Sequence, residues 1–444
     1  MDHEPVGPPG TPSLLRAIND RTALRLLADR GPLSRTQLGA LAGLSKPTAS
    51  QLMDRLEAAG LVEPVLEADG ASAVSDGAPS TAAAAAATPA PGTPGRTARR
   101  YRLRGGAAHV AGLDVSSARI VARVCDLAGR VVGEATLPTP GRSASGAVDR
   151  VRQVLAAACA PAGLQPAALH HAVLGIGGAI DPGTERLGFA RHLPGWHEPD
   201  LLVRLRTELT PSGAANPRVD IENDVNLAAV AEQAVGAAAP GGPCDPHPGA
   251  RDFVVLWIAD GIGAAVVIDG RLHRGATGGA GEVGYMPVPG APLVRSIGRG
   301  TTGGFQALAG GPAVLKLARL HGFTGAEPHT AVARAAEVAL RSGELGAPAM
   351  RDAARRLLTE LADRLATGLA PIVAVLDPEL IVLTGAILRA GAAPLRDLIA
   401  EALHGMAIPR PRLVESALAD NPVLAGAIHA ALRAVREDLF SRGV

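Results

Sequence analysis

Apolar residues recur at helical spacing near the start of the chain. Leu14, Leu15, Ile18, Leu24, Leu26 and Leu27 stand among Arg and Asp over residues 13–30, and Gly31-Pro32 ends the run. This spacing predicts a first amphipathic helix. Ser34 can cap a short second helix with Leu38 and Leu41 inward, and Gly43 breaks it. Ser45 can cap a third helix that runs through Leu52, Leu56 and Ala59 to Gly60. Two short helices joined by a tight turn containing glycine make a helix-turn-helix. Leu61 to Val65 then reads as a strand, with Arg100-Tyr101-Arg102-Leu103 as its hairpin partner, so that the pair forms a wing.

The wing loop is abnormally long. Residues 67–98 are mostly Ala, Gly, Ser, Thr and Pro and include the tract Ala82 to Ala87, a composition that cannot bury enough surface to order itself. The expectation is a disordered insertion. From Ala107 the pattern becomes strands followed by helices. Val110 to Val115, Ile120 to Val124 and Val131 to Leu137 form a meander, residues 148–159 are helical, and Ala172 to Ile176 is a buried strand. Later segments at 218–222, 253–258 and 380–384 continue the alternation. Two strand-first halves suggest two lobes with a cleft. The expected division is 1–66 for the helix-turn-helix, 67–98 for the insertion, 99–105 for the second wing strand and its connection, and 106–444 for the body.

At 444 residues the chain is long enough for about three domains. A formal net charge of +1 does not point to any partner by itself, but Arg96, Arg99, Arg100, Arg102 and Arg104 concentrate positive charge in the wing without an acid among them. The three cysteines, Cys125, Cys159 and Cys244, are far apart, which suggests neither a disulfide framework nor a metal cluster. With no leader-like N-terminus and no apolar run of about eighteen residues, the expectation is a soluble, cytoplasmic protein that does not bind membranes.

The third predicted helix has a polar face that could enter a major groove. Ser45, Lys46, Thr48, Ser50, Gln51 and Arg55 carry it, while Ala49, Leu52, Met53 and Leu56 pack inward. Amide and basic groups read base edges, and Ser34, Arg35 and Thr36 at the preceding helix start suit phosphates. Arg96, Arg99 and Arg100 in the wing would reach the backbone or minor groove of a double-stranded DNA operator. A helical subdomain with an ordinary solvated face would show much of the same pattern. The arginine-rich hairpin after it favours DNA.

In the body, several separated motifs occur in order: Leu113-Asp114, Leu193-Pro194-Gly195-Trp196, Glu222-Asn223-Asp224-Val225-Asn226, Gly281-Glu282-Val283-Gly284, and Leu376-Asp377-Pro378-Glu379 up to Gly385. From about Arg96 to the C-terminus the chain resembles the ROK family, named for repressors, open reading frames and kinases. With the N-terminal module included, it resembles that family's regulator branch. The resemblance implies a winged helix-turn-helix in front of a two-lobed, actin-like (ribonuclease H-like) α/β body with a sugar between the lobes. In the family's kinases the aspartate matching Asp224 is the general base, and the residues matching Asn223 and Glu282 bind sugar. Taken alone, Glu222-Asn223-Asp224 could equally be a turn and helix cap. His192 stands where the family often has a polar residue near the sugar.

Departures from the family pattern separate its branches. The kinase phosphate loop has two glycines and a threonine, whereas Asp114-Val115 is followed here by Ser116-Ser117-Ala118. Side chains then crowd the place where backbone would approach phosphate. The resemblance also implies a structural zinc, yet its ligand positions hold Tyr285, Ile297, Arg299 and Gly304. No zinc and no other cofactor is expected. Tyr285 replaces the histidine and Gln306 replaces a further glutamate that contact the sugar in family members. The expectation is therefore a DNA-binding repressor, not an enzyme, that acts as a homodimer or dimer of dimers and responds to a sugar or sugar phosphate held by Asn223, Asp224, Glu282, Tyr285, His192 and Gln306. An ATP-dependent sugar kinase with a DNA-binding appendage and a ligand-independent repressor are the alternatives.

Overall fold

In a computed structural model of the chain, helix α1 (Pro12–Arg30) leads through a two-residue strand β1 (Leu33–Ser34) into α2 (Arg35–Ala42) and α3 (Lys46–Ala58). The structure describes residues 12–65, 99–139, 146–181, 183–184, 187–188, 193, 196, 200–209, 218–242, 249–295, 303–340 and 348–441. Ser34 caps α2. Its hydroxyl accepts from the Gln37 N–H at 3.2 Å and Gln37 Oε1 accepts from the Ser34 N–H at 2.9 Å, a reciprocal capping box. Gly43 closes α2 in the left-handed conformation at φ 67°, which its missing Cβ permits. The Ser45 hydroxyl caps α3 from the Thr48 N–H at 3.4 Å.

The wing is larger than the predicted hairpin. β2 (Val62–Pro64) pairs antiparallel with β3 (Arg100–Leu103), Val62 opposite Leu103, and β1 joins the other side of β3 with Leu33 opposite Tyr101. Two residues are too few to show alternation, so β1 left no signal in the pattern. Beneath this sheet Leu24, Leu27, Leu38, Leu52, Met53, Leu56, Tyr101 and Leu103 form a core, joined by Phe440 near the chain's end. Leu41 departs from the expectation. It stays 44% exposed because α2 is only two turns long and buries just Leu38 and Gly39. Leu14, Leu15 and Ile18 are also exposed, so only the second half of α1 packs. The insertion expected at 67–98 lies outside the described residues. With Cys125–Arg130 and the residues from Arg433 onward, the chain up to His109 forms one of two units.

The second unit, Val110–Val124 with Val131–Leu432, contains two five-stranded sheets of matching order. Its first half runs β4 (His109–Val115), β5 (Arg119–Asp126), β6 (Val131–Pro138), α4 (Ala147–Cys159), β7 (His171–Ile176), the short pair β8 (Ala179–Ile180) and β9 (Leu187–Gly188), α5 (Leu201–Leu209), β10 (Arg218–Asn223) and α6 (Asp224–Val235). Its second half runs β11 (Phe253–Ile258), β12 (Ile262–Ile268), β13 (Arg271–His273), α7 (Gly304–Ala309), α8 (Gly311–Leu320), α9 (Pro328–Leu340), α10 (Pro348–Leu376), β14 (Leu380–Thr384), α11 (Ala386–Met406), β15 (Arg412–Glu415) and the part of α12 (Pro422–Ser441) up to Leu432.

The sheet orders are β10-β7-β4-β5-β6 and β13-β12-β11-β14-β15. In each, a three-strand meander is extended by two parallel strands: β7 lies parallel to β4 and β10 to β7, as β14 does to β11 and β15 to β14. This is the two-sheet, actin-like architecture that the resemblance implied. Every residue of β7 and β14 is buried, as strands covered on both faces require. The apolar stripe of α10, including Leu357, Leu361, Leu365 and Leu369, packs with Ile387, Leu395 and Ile399 of α11. No described helix is long and apolar enough to cross a membrane.

Candidate ligand cleft and nucleic-acid interface

Parallel strands present their carboxyl ends together, which is where open α/β sheets place ligands. In the second unit the ends of β4, β7, β10, β11 and β14 surround a cavity of about 860 Å³. Asp114, Asn223, Asp224 and Glu282 line it, with Arg119, Arg389 and Asn421. Gly281 and Gly385 make the walls possible. They adopt φ of 96° and 93°, and a Cβ would stand 2.0 Å from the Ala264 carbonyl oxygen in one case and 2.3 Å from that of Ile258 in the other.

Asn223 is a helix cap as well as a cleft residue. Its Oδ1 accepts from the Val225 and Asn226 N–H groups at 2.8 and 3.0 Å, and its Nδ2 donates to the Gly178 carbonyl at 3.1 Å. One amide N–H is left over for a ligand. Glu222 holds the segment from behind, accepting from Asn226 Nδ2 at 2.9 Å and from Arg274 Nε at 2.6 Å. Asp224 follows at the first position of α6, its Oδ1 accepting from its neighbour's N–H at 2.9 Å. Part of the residue meets the cleft, but its carboxyl group lies deep, and burial pushes its pKa up to about 6 against the Val225 hydrogen bond, with Asp114 adding to the rise. Burial also raises Glu282, and Asp224 reinforces the shift. Asp114 is raised by burial too, opposed by the Asn421 hydrogen bond and by Arg119. Half-buried carboxylates around a cavity suit the hydroxyl groups of a polyol, each of which can donate to them.

Other expected sugar residues fall elsewhere. Gln306 ties together the β11–β12 hairpin, accepting from the Ile262 N–H at 2.8 Å and donating to the Asp260 carbonyl at 2.9 Å. Neither it nor Tyr285 is among the residues that line the cavity. His192 lies outside the described residues. Asn421 is a cleft residue that no local pattern announced: its Nδ2 donates to Asp114 Oδ2 at 2.6 Å across 307 positions, while its Oδ1 caps α12 through the Leu424 N–H at 3.0 Å. Arg119 and Arg389 had no signal beyond their charge.

The turn after Asp114 is closed by its own serine. Ser116 Oγ donates to the Arg119 carbonyl at 2.8 Å and accepts from the Arg119 N–H at 3.1 Å. Across the cleft, Ala259, Asp260 and Gly261 form the turn between β11 and β12, and Ile262 to Ala265 belong to β12. Of the positions matching the family's zinc ligands, Tyr285 and Gly304 are described, and neither supplies the nitrogen or sulfur donor that such a site usually takes.

In the first unit the expected DNA-facing residues divide into two groups. Thr36, Ser45, Lys46, Thr48, Gln51, Arg99 and Arg100 are exposed. The others serve the module itself. Ser34 is a buried cap. Arg35 donates from Nη1 to Ser50 Oγ at 2.8 Å and from Nη2 to Asp54 Oδ1 at 2.5 Å and to the Tyr101 hydroxyl at 2.8 Å. Arg55 pairs at 2.5 Å with Asp20, which is only 2% exposed, and so ties α3 to α1. Arg99 lies over the Tyr101 ring, 5.3 Å from its centroid, and Arg100 donates to the Pro32 carbonyl at 2.5 Å. Arg96 lies outside the described residues.

A profile of the ROK family matches residues 110–434, most of the chain. The chain belongs to the ROK family. Residues 18–71, which hold the helix-turn-helix, match the MarR family. Among ROK relatives, the bifunctional enzyme NanE/NanK of Brucella suis biovar 1 is 34% identical over 202 residues, 45% of this chain and 32% of that protein. The glucokinase of Thermotoga maritima is 28% identical over 270 residues, 57% of this chain and 77% of the enzyme. The chain spans 32% to 47% of the length of the NanE/NanK proteins and of an uncharacterized Clostridium perfringens relative.

Among solved structures, a ROK family transcriptional regulator, a homolog of the E. coli MLC protein, shares the fold with a TM-score of 0.67 at 17% identity, covering 97% of this chain and 98% of that one. A ROK hexokinase from Thermus thermophilus has a TM-score of 0.57 at 27% identity, covering 74% of this chain and 99% of the other.

Proposed function

We propose that this ROK protein is a sequence-specific DNA-binding transcriptional regulator, a repressor of genes for carbohydrate uptake or metabolism, controlled by a sugar or sugar phosphate in the cleft. The observation that carries this reading is the joining of two features in one chain. A winged helix-turn-helix exposes Lys46, Thr48 and Gln51 on α3, and an acid-lined cavity keeps Asp224 and Glu282. The fold shared with a ROK regulator over nearly the whole chain supports it. Recognition helices of a homodimer would read two half-sites about one helical turn apart.

Sensing without phosphorylation is supported by the turn after Asp114, where Ser116 spends its hydroxyl on Arg119 and no glycine lets backbone approach a phosphate. A kinase reading has one specific observation in its favour: Asp224, whose pKa of about 6 suits a general base near neutral pH. A thermal-shift screen with sugars, sugar phosphates and ATP with magnesium separates the two, because a ligand that binds only the folded state raises the Tm. A shift with one sugar or sugar phosphate and none with ATP is expected. A shift with ATP accompanied by turnover that Asp224→Asn abolishes would establish the kinase instead.

A further inference from the structure

The outer face of α3 has an acid at its centre. Pro47, Gln51, Asp54 and Ala58 follow one another at spacings of four, three and four, which aligns them along a single side of a helix, and all four are exposed. An unpaired carboxylate there would repel the phosphates of an approaching duplex. This one is paired. Arg35 reaches from the first turn of α2 and donates to Asp54 Oδ1 at 2.5 Å, with Asp54 still 61% exposed. The guanidinium is itself fixed by Ser50 on α3 and by the Tyr101 hydroxyl on the wing strand, at 2.8 Å each, and its carbon lies 5.2 Å from the centroid of the Tyr101 ring. No described residue bonds Asp54 Oδ2.

These contacts pair the carboxylate with a guanidinium through Oδ1 and leave Oδ2 without a partner among the described residues, on a side chain that lies between Gln51 and Ala58 along the exposed face. In the major groove a carboxylate accepts from the exocyclic amine of cytosine, a donor that guanine lacks and thymine replaces with an acceptor; adenine has such an amine too, but beside an N7 acceptor that repels a carboxylate. Resting on the DNA-binding reading above, we propose that Asp54 is a specificity-determining residue that selects a C·G base pair in each half-site. Arg35 is its positioning residue, cancelling its charge and fixing its rotamer.

The test begins with selection of duplexes from a random pool by the full-length protein. Every base pair of the selected site is then replaced in turn, and affinities are measured for the wild type, Asp54→Ala and Arg35→Met. The wild type should show a C·G position in each half-site whose replacement weakens binding about tenfold or more. Asp54→Ala should flatten that position to within about twofold and leave the others unchanged, with an unaltered Tm, because an exposed ion pair contributes little to folding. Arg35→Met, which exposes the charge, should weaken binding to every sequence. The assignment is overturned if Asp54→Ala keeps the wild-type profile, if it weakens all sequences equally, or if no selected position requires C·G. Failure of the wild type to enrich any sequence is a different result, which removes the DNA-binding reading itself.

Discussion

Asp224 carries the sharpest consequence at the scale of single residues. An ordinary aspartate titrates near 3.8, whereas burial puts this one at about 6 in the folded protein. Between those values the folded state holds a proton that the unfolded chain has released, so stability falls as pH rises through about 6 and the loss persists above it. Asp224→Asn removes the ionisation. It should raise the Tm at pH 7.5 by an amount on the order of 1–3 kcal/mol of stability, and the gain should vanish near pH 4. Ligand binding should run the other way. A carboxylate that accepts a sugar hydroxyl works best as the anion, so affinity at pH 5 should be about tenfold below that at pH 7.5. Isothermal titration across that range should show the step in the wild type and not in Asp224→Asn.

Pairs of helices set the next scale. Arg55 and Asp20 join α3 to α1, and Asp20 is almost wholly buried. Arg55→Ala would strand that carboxylate and should lower the stability of the winged unit by about 2–4 kcal/mol, readable by denaturant unfolding. Gln51→Ala should leave stability unchanged and weaken operator binding, which separates a residue that holds the module together from one that faces out of it. Both were polar positions in the same predicted recognition helix. Periodicity shows which residues leave the core. It does not show which of them find a partner on another helix, and so Arg35, Ser50 and Arg55 looked no different from Lys46 and Gln51. Caps were more legible, because Ser34, Gly43 and Ser45 act through backbone within three or four residues. The strands at 171–176, 253–258 and 380–384 were legible for a similar reason, as short apolar runs, whereas 218–223 shows only Val219 and Ile221 alternating with polar residues.

At the scale of the whole molecule, the chain combines a winged module with a doubled sheet whose strand ends gather the cleft. Asp114, Asn223, Asp224 and Glu282 could be named in advance because their motifs match the family's pattern. Asn421 could not, since its tie to Asp114 exists only once the last helix folds against the first strands of the body. Tyr285 and Gln306 differ: neither is among the residues that line the cavity, and Gln306 uses its amide on the β11–β12 hairpin. Charge acts at this scale too. If Lys46, Arg99 and Arg100 contact phosphates, operator affinity should fall steeply with salt, and Lys46→Ala should lower the slope of log affinity against log salt by about one.

The most direct test is a titration of the selected duplex with full-length protein by fluorescence anisotropy, repeated with each of a panel of sugars and sugar phosphates. The account predicts tighter binding to that duplex than to random DNA, and one ligand that changes the affinity at least about fivefold. The same ligand should have no effect on Glu282→Gln. Equal affinity for selected and random DNA, or an affinity that no ligand alters, would contradict it.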